Sequence, residues 1–250
     1  MQIIIKGLKK SFGNNVVLDG IDLTIEDGKT TVIIGQTGCG KSVLIKHIIG
    51  LLKPDAGQII INNVDITKLK RNEFANILRN FGVLFQSSAL FDSMTVGENV
   101  AFPLIEHTNL PRSKIMKIVE EKLAIVGLKG VEHLYPAELS GGMKKRVGLA
   151  RAIALDPKVL IFDEPTTGLD PVMSDTIDNL IINTQRHLGV TSIVISHDIP
   201  GTFKIAHWIA MLYKGKVVLY GSPDEFKNTK DPVVRQFLER RAEGPLQVEA

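Results

Sequence analysis

Gly35-Gln36-Thr37-Gly38-Cys39-Gly40-Lys41-Ser42 stands between an apolar run, Thr31–Ile34, and a helical pattern that begins at Val43 and runs to Leu52. Strand, glycine-rich loop, Lys-Ser and helix follow in the order that a phosphate cradle requires. Glycines let successive backbone N–H groups turn inward around phosphate oxygens, where a Cβ would intrude. The following helix adds unpaired amides and the positive end of its dipole. Lys41 can reach β- and γ-phosphates, and Ser42 can coordinate Mg²⁺. The candidate nucleotide-binding residues are therefore Gly35, Gln36, Thr37, Gly38, Cys39, Gly40, Lys41, Ser42 and Val43. Cys39 reads as a small loop residue, not a redox centre.

Around this loop lie further short apolar runs: Gln58–Ile61, Gly82–Phe85, Val159–Phe162, Ser192–Ile195 and Ile209–Tyr213. They are continuous and β-branched, as in strands of a parallel sheet covered on both faces. Helical patterns separate many of them, which predicts an α/β fold with right-handed crossovers. Residues 16–25 alternate more clearly and lead into the turn Glu26-Asp27-Gly28, so a small antiparallel piece should flank the main sheet. From about Ser87 to Leu155 no good strand appears. Within it Ile115, Ile118, Val119, Leu123 and Val126 form one helical stripe, which predicts an inserted helical lobe over 87–155. The segment after Glu239 is polar with a Gly-Pro break and reads as a frayed tail over 241–250.

Val159–Phe162 ends in Asp163-Glu164-Pro165. Two adjacent carboxylates at a buried strand end repel each other unless positive charge lies near. Adjacent strand residues point to opposite sides. Asp163 can then hold a Mg²⁺ shell, while a backbone turn at the strand end aims Glu164 at an attacking water. His197 directly follows another strand, at the carboxyl end where α/β sheets place ligands. Leu139-Ser140-Gly141-Gly142-Met143 opens a basic, alanine-rich helix, Lys144–Leu155. A serine and two glycines at a helix start make a second anion site from amides and a hydroxyl. One nucleotide does not need two separated phosphate sites in one chain. The economical arrangement is a two-fold dimer in which this loop closes on the partner's nucleotide.

Taken together, these residues resemble the ATP-binding cassette family over roughly residues 2–238. Leu139–Met143 matches its signature, Gln86 its glutamine loop, Gly168-Leu169-Asp170 its D-loop and His197 its switch histidine. Phe12 falls where the family places an aromatic that stacks on adenine; a core role suits it equally. The resemblance implies an α/β P-loop NTPase (RecA-like) core over 1–240, with a small antiparallel β subdomain and an inserted helical subdomain. It further implies ATP and Mg²⁺ held between two head-to-tail copies. Glu164 would be the catalytic base, and His197 would contact the γ-phosphate. Ser42, Gln86 and Asp163 would serve the metal, and Gln86 would also sense the attacking water. Ser140, Gly141 and Gly142 would bind the partner's ATP. The catalytic set is Glu164, His197, Gln86 and Lys41.

Two further stretches narrow the resemblance. One runs from Phe85-Gln86-Ser87-Ser88-Ala89-Leu90-Phe91 through Gly97-Glu98-Asn99-Val100 to Leu104. The other is Asp231-Pro232-Val233-Val234-Arg235-Gln236-Phe237-Leu238. With Met143 in place of the signature's usual Gln, they are similar to ATPase subunits of Mla-type phospholipid transporters. Those maintain outer-membrane lipid asymmetry. The similarity implies integral membrane permease subunits, small accessory and lipid-binding subunits, and a peripheral place on the cytoplasmic face of the inner membrane. An importer of amino acids or other small solutes would share every catalytic residue and differ in its membrane partner.

Composition bounds these readings. The 250 residues are 44% hydrophobic and 23% charged, close to a soluble globular average, so general disorder is excluded. Thirty basic and 27 acidic residues leave +3, too little for the basic stripe that nucleic acid requires. No nucleic-acid partner is expected, and no coiled coil or zinc insertion supports a DNA- or ribosome-directed cassette. An Asn-Lys-x-Asp segment, which a GTPase needs, is missing. One cysteine makes no internal disulfide. Neither a secretory signal nor eighteen continuous apolar residues occurs, so no transmembrane helix is expected.

Overall fold

The computed structural model describes residues 1–246. Its strands are β1 (Ile3–Phe12), β2 (Asn15–Ile25), β3 (Thr30–Ile34), β4 (Ala56–Ile61), β5 (Val64–Asp65), β6 (Phe81–Leu84), β7 (Val159–Asp163), β8 (Thr191–Ile195), β9 (Trp208–Tyr213) and β10 (Lys216–Gly221). Its helices are α1 (Lys41–Ile48), α2 (Arg71–Leu78), α3 (Val96–His107), α4 (Arg112–Ile125), α5 (Gly141–Ala152), α6 (Pro171–Leu188), α7 (Ile199–Ile205), α8 (Pro223–Asn228) and α9 (Pro232–Leu238). The chain divides into two compact units. A terminal unit holds residues 2–69 and 195–246; a central unit holds residue 1 and residues 70–194.

In the terminal unit β2-β1-β4-β5 form an antiparallel sheet, and β10-β9-β3 lie side by side, β9 antiparallel to β10 and parallel to β3. All five residues of β3 are buried, as a strand covered on both faces demands. The expectation of a parallel strand at Gln58–Ile61 fails: β4 runs antiparallel to β1, pairing Ile61 with Ile3 and Ile59 with Ile5. Ile59 and Ile61 are buried while Ile60 is only half-buried, so three consecutive isoleucines concealed a one-sided alternation. β1 itself carries the same kind of face, with Ile3, Ile5 and Leu8 buried. Gly7, at φ 55°, shifts its register between Ile5 and Leu8 and breaks the period of two. Each such fully buried Ile or Leu contributes about 1.5–3 kcal/mol.

The central unit places its strands in the order β8-β7-β6, with β6 and β7 parallel from Phe81 opposite Val159 to Leu84 opposite Phe162. Helices α3, α4 and α5 pack on one another, and Ile115, Val119 and Leu123 of the predicted stripe are buried at α4. No strand interrupts residues 87–155. At Gly82 a Cβ would strike the Ala152 carbonyl, so glycine lets β6 approach the end of α5. Among the described residues no helix is long and apolar enough to cross a membrane.

Candidate functional site

The glycine-rich loop bridges β3 and α1. Gly35 (φ 147°), Gly38 (φ 82°) and Gly40 (φ 105°) occupy backbone conformations closed to most side chains. A Cβ at Gly35 would strike the Leu212 carbonyl, and one at Gly40 would lie 2.8 Å from Leu18 Cδ2. At Gly38 it would meet nothing within 4 Å, because that glycine faces a cleft. Lys41 is buried, and its Nζ donates to the carbonyls of Gly35 and Gln36, both at 2.8 Å. Helix α1 starts at Gly40 with no side-chain cap and no acid in its first turn. By contrast, Asp170 and Asp231 cap α6 and α9. The start of α1 thus retains donors and positive potential for an outside anion. Ser42 is exposed in that first turn and Val43 half-buried. Burial raises the Cys39 thiol above its ordinary range, against the pull of the Lys41 charge, which suits an inert loop residue.

Gln36, Thr37, Gly38 and Cys39 share a cleft of about 870 Å³ with His197, Asn15, Val16, Tyr213 and Phe237. His197 is exposed on the segment after β8. Phe12 is 48% exposed, is not among the cleft's walls, and carries the Lys10 ammonium 5.5 Å above its ring. Sequence alone placed Tyr213 in a strand and Phe237 in a family-like stretch but put neither at the cleft. Both adjoin the segment expected to fray, which is held instead. Gln236 Nε2 donates to the Arg241 and Leu246 carbonyls, its Oε1 accepts from Leu246 N at 2.7 Å, and Tyr213 Oη donates to Pro245 O. Leu246 is 5% exposed. The rest of the tail, 247–250, lies outside the described residues.

In the central unit Asp163 ends β7, and Glu164 follows at φ 49°, a left-handed conformation costly for glutamate. Thr167 Oγ1 donates to Glu164 Oε2 at 3.0 Å. The positive charge that two neighbouring carboxylates need comes from Lys145, whose position in the sequence did not announce it. Its buried Nζ donates to the Gln86 carbonyl and, at 3.4 Å, to the Glu164 carbonyl. Burial lowers its pKa, and the charges of Glu164 and Asp163 oppose that shift. The loop after β6 is fastened further along. Arg151 donates to the Ser88 and Ala89 carbonyls at 2.8 and 2.7 Å, and Asn99 to those of Phe91, Met94 and Thr95.

Ser140 caps α5, its Oγ accepting from Met143 N at 3.3 Å, and Ser140 and Gly141 are exposed. The helix starts at Gly141, not Lys144, so both glycines stand in its first turn. A Cβ on Gly142 would collide with the Met173 side chain of α6.

Within the terminal unit the cradle suits the phosphates of a nucleotide: a positively framed loop that a Cβ would obstruct, with the Ser42 hydroxyl exposed in the first turn of α1 as a hard oxygen donor.

The ABC transporter family profile matches residues 18–167. The chain is 44% identical over 246 residues to a Mycobacterium bovis protein named probable ribonucleotide transport ATP-binding protein mkl, covering 98% of this chain and 68% of that protein. It is 42% identical over 244 residues to the Haemophilus influenzae intermembrane phospholipid transport system ATP-binding protein MlaF, covering 98% and 92%. Among solved structures, the dimeric post-hydrolysis ATP-binding cassette MJ0796 with ADP and Pi aligns with a TM-score of 0.80 at 30% identity, over 88% of this chain and 98% of that one.

Proposed function

This chain belongs to the ABC transporter family, and we propose that it is the subunit whose ATP hydrolysis drives phospholipid movement between two membranes. The observation that carries the ATPase reading is the cradle: left-handed glycines, a buried Lys41 and an uncapped α1 leave one place where a phosphate chain is the natural occupant. The lipid reading rests on the MlaF likeness over nearly the full chain. The mkl likeness gives ribonucleotides as the second reading.

Roles follow from the chemistry of the groups. Amides of residues 36–43 bind phosphate oxygens, and Lys41 Nζ exchanges its loop carbonyls for them. Bound Mg²⁺ supplies charge neutralisation, and Ser42, Asp163 and Gln86 are the donors assigned to it. Glu164 orients the attacking water and accepts its proton; His197 donates toward the terminal phosphate. Ser140, Gly141 and Gly142 are assigned to the nucleotide of a second copy, a head-to-tail arrangement supported by the dimer seen for MJ0796. We assign membrane attachment to permease subunits at the cytoplasmic face of the inner membrane, with accessory and lipid-binding subunits in the same assembly. The exposed Phe91, 42% accessible beside Leu90, is the contact we assign to the permease.

Glu164→Gln tests the reaction. Nucleotide binding should persist while kcat falls at least about 100-fold, the scale of a lost general base. Turnover near wild type would remove Glu164 from its role. The substrate is tested by purifying the chain with its membrane partners and identifying the bound small molecules. Phospholipid supports the first reading, and ribonucleotide beyond the hydrolysed ATP replaces it.

A further inference from the structure

We propose that Lys145 is a positioning residue for hydrolysis: one ammonium holds the main chain of Gln86 and of Glu164, and so fixes together the two groups assigned to the attacking water. The proposal rests on the ATPase reading above. Lysine is rarely buried without a partner, yet Lys145 is 5% exposed one turn into α5. Its hydrogen-bond partners are carbonyls 59 and 19 residues away in sequence. It grips the carbonyl of Glu164 and therefore steers the backbone at that residue.

The backbone needs steering. Glu164 sits at φ 49°, and the loop that begins at Gln86 contains Ser88 at 61° and Ala89 at 46°. Such conformations persist only where surrounding contacts over-determine them. Helix α5 supplies those contacts at three successive turns. Lys145 takes Gln86 and Glu164; Gly148 lets the helix lie against Leu84 and Ser88, where a Cβ would come within 2.8 Å of Leu84 Cδ1; Arg151 takes the Ser88 and Ala89 carbonyls. The helix that begins with Ser140-Gly141-Gly142 is thereby joined to both water-directing groups, with Lys145 as the link to each.

The test is steady-state ATPase activity of the purified full-length chain as wild type, Lys145→Met and Lys145→Arg. Lys145→Met should lower kcat about 10- to 100-fold, the range for an ångström-scale misplacement, while KM for ATP stays within about twofold. Lys145→Arg keeps the donors and the charge and should recover activity to within about threefold of wild type. If Lys145→Met does not fold, Lys145→Gln, which keeps amide N–H donors on a shorter stem without the charge, is read against Lys145→Arg, and its kcat should be the lower at similar KM. The proposal is overturned if the uncharged variant turns over at the wild-type rate. It is also overturned if a rise in KM accounts for the loss, or if arginine does no better than methionine. A wild-type chain without ATPase activity would overturn the ATPase reading itself, and this proposal with it.

Discussion

The cradle loop, residues 35–42, and the loop after β6, residues 86–91, are built on the same plan and stabilised in opposite ways. Each follows a β-strand, and each must bend through left-handed backbone. The cradle puts glycine at its three left-handed positions, 35, 38 and 40, so its shape costs little in steric strain. The other loop uses Ser88 and Ala89, at φ 61° and 46°, where an L side chain costs about 1–2 kcal/mol each. What holds it lies outside the loop: Lys145 and Arg151 from far along the chain and Asn99 from the start of α3, with the Arg151 guanidinium also 5.9 Å from the Phe91 ring. The first loop is shaped from within, by its own glycines and by Lys41. The second is shaped from outside, so whatever moves α5 moves it.

Forcing a side chain into the first loop should have the largest effect. Gly35→Ala places a methyl against the Leu212 carbonyl and within 2.8 Å of Cys39 Sγ, at a φ of 147°. The cradle cannot relax around backbone, so stability should fall by about 3 kcal/mol or more and nucleotide binding should be lost. Chemical denaturation and titration with a fluorescent ATP analogue measure the two. Unchanged affinity would mean that the loop's shape does not depend on its glycines.

The next effect belongs to the externally held loop. Arg151→Leu removes two charge-assisted bonds to the Ser88 and Ala89 carbonyls and should cost about 2 kcal/mol in denaturant unfolding. Arg151→Lys should rescue little of it, because a single ammonium cannot span both carbonyls as the guanidinium fork does. Full rescue by lysine would show that charge alone, not the fork, shapes the loop.

This contrast also explains what could be read from the chain beforehand. The cradle, the carboxylates at the end of β7 and the serine-glycine helix start are local patterns, and local patterns survive in sequence. The hold of Lys145 on Gln86 spans 59 residues, and nothing near position 145 distinguishes it from the adjacent, half-buried Lys144. β1 escaped notice because Gly7 shifts its alternation, and the direction of β4 because Ile60 sits between two buried isoleucines. The segment after Arg240 looked loose because its anchor, the side chain of Gln236, lies one helix back and gives no periodic signal.

The smallest effect has the opposite sign. Ala89 is exposed and stands at φ 46°, so Ala89→Gly removes a left-handed penalty of about 1–2 kcal/mol. Against this, glycine adds about 0.5–1 kcal/mol of chain entropy to the unfolded state. The balance should leave the protein more stable by about 0.5–1 kcal/mol. The Ala89 carbonyl that Arg151 grips is unchanged by the substitution, so the gain should survive in wild type and shrink in the Arg151→Leu background, where the loop is free to leave the left-handed region. A double-mutant cycle of unfolding free energies measures that coupling. Equal gains in both backgrounds would show that Ala89 holds its conformation without Arg151, and the second loop would then be shaped from within like the first.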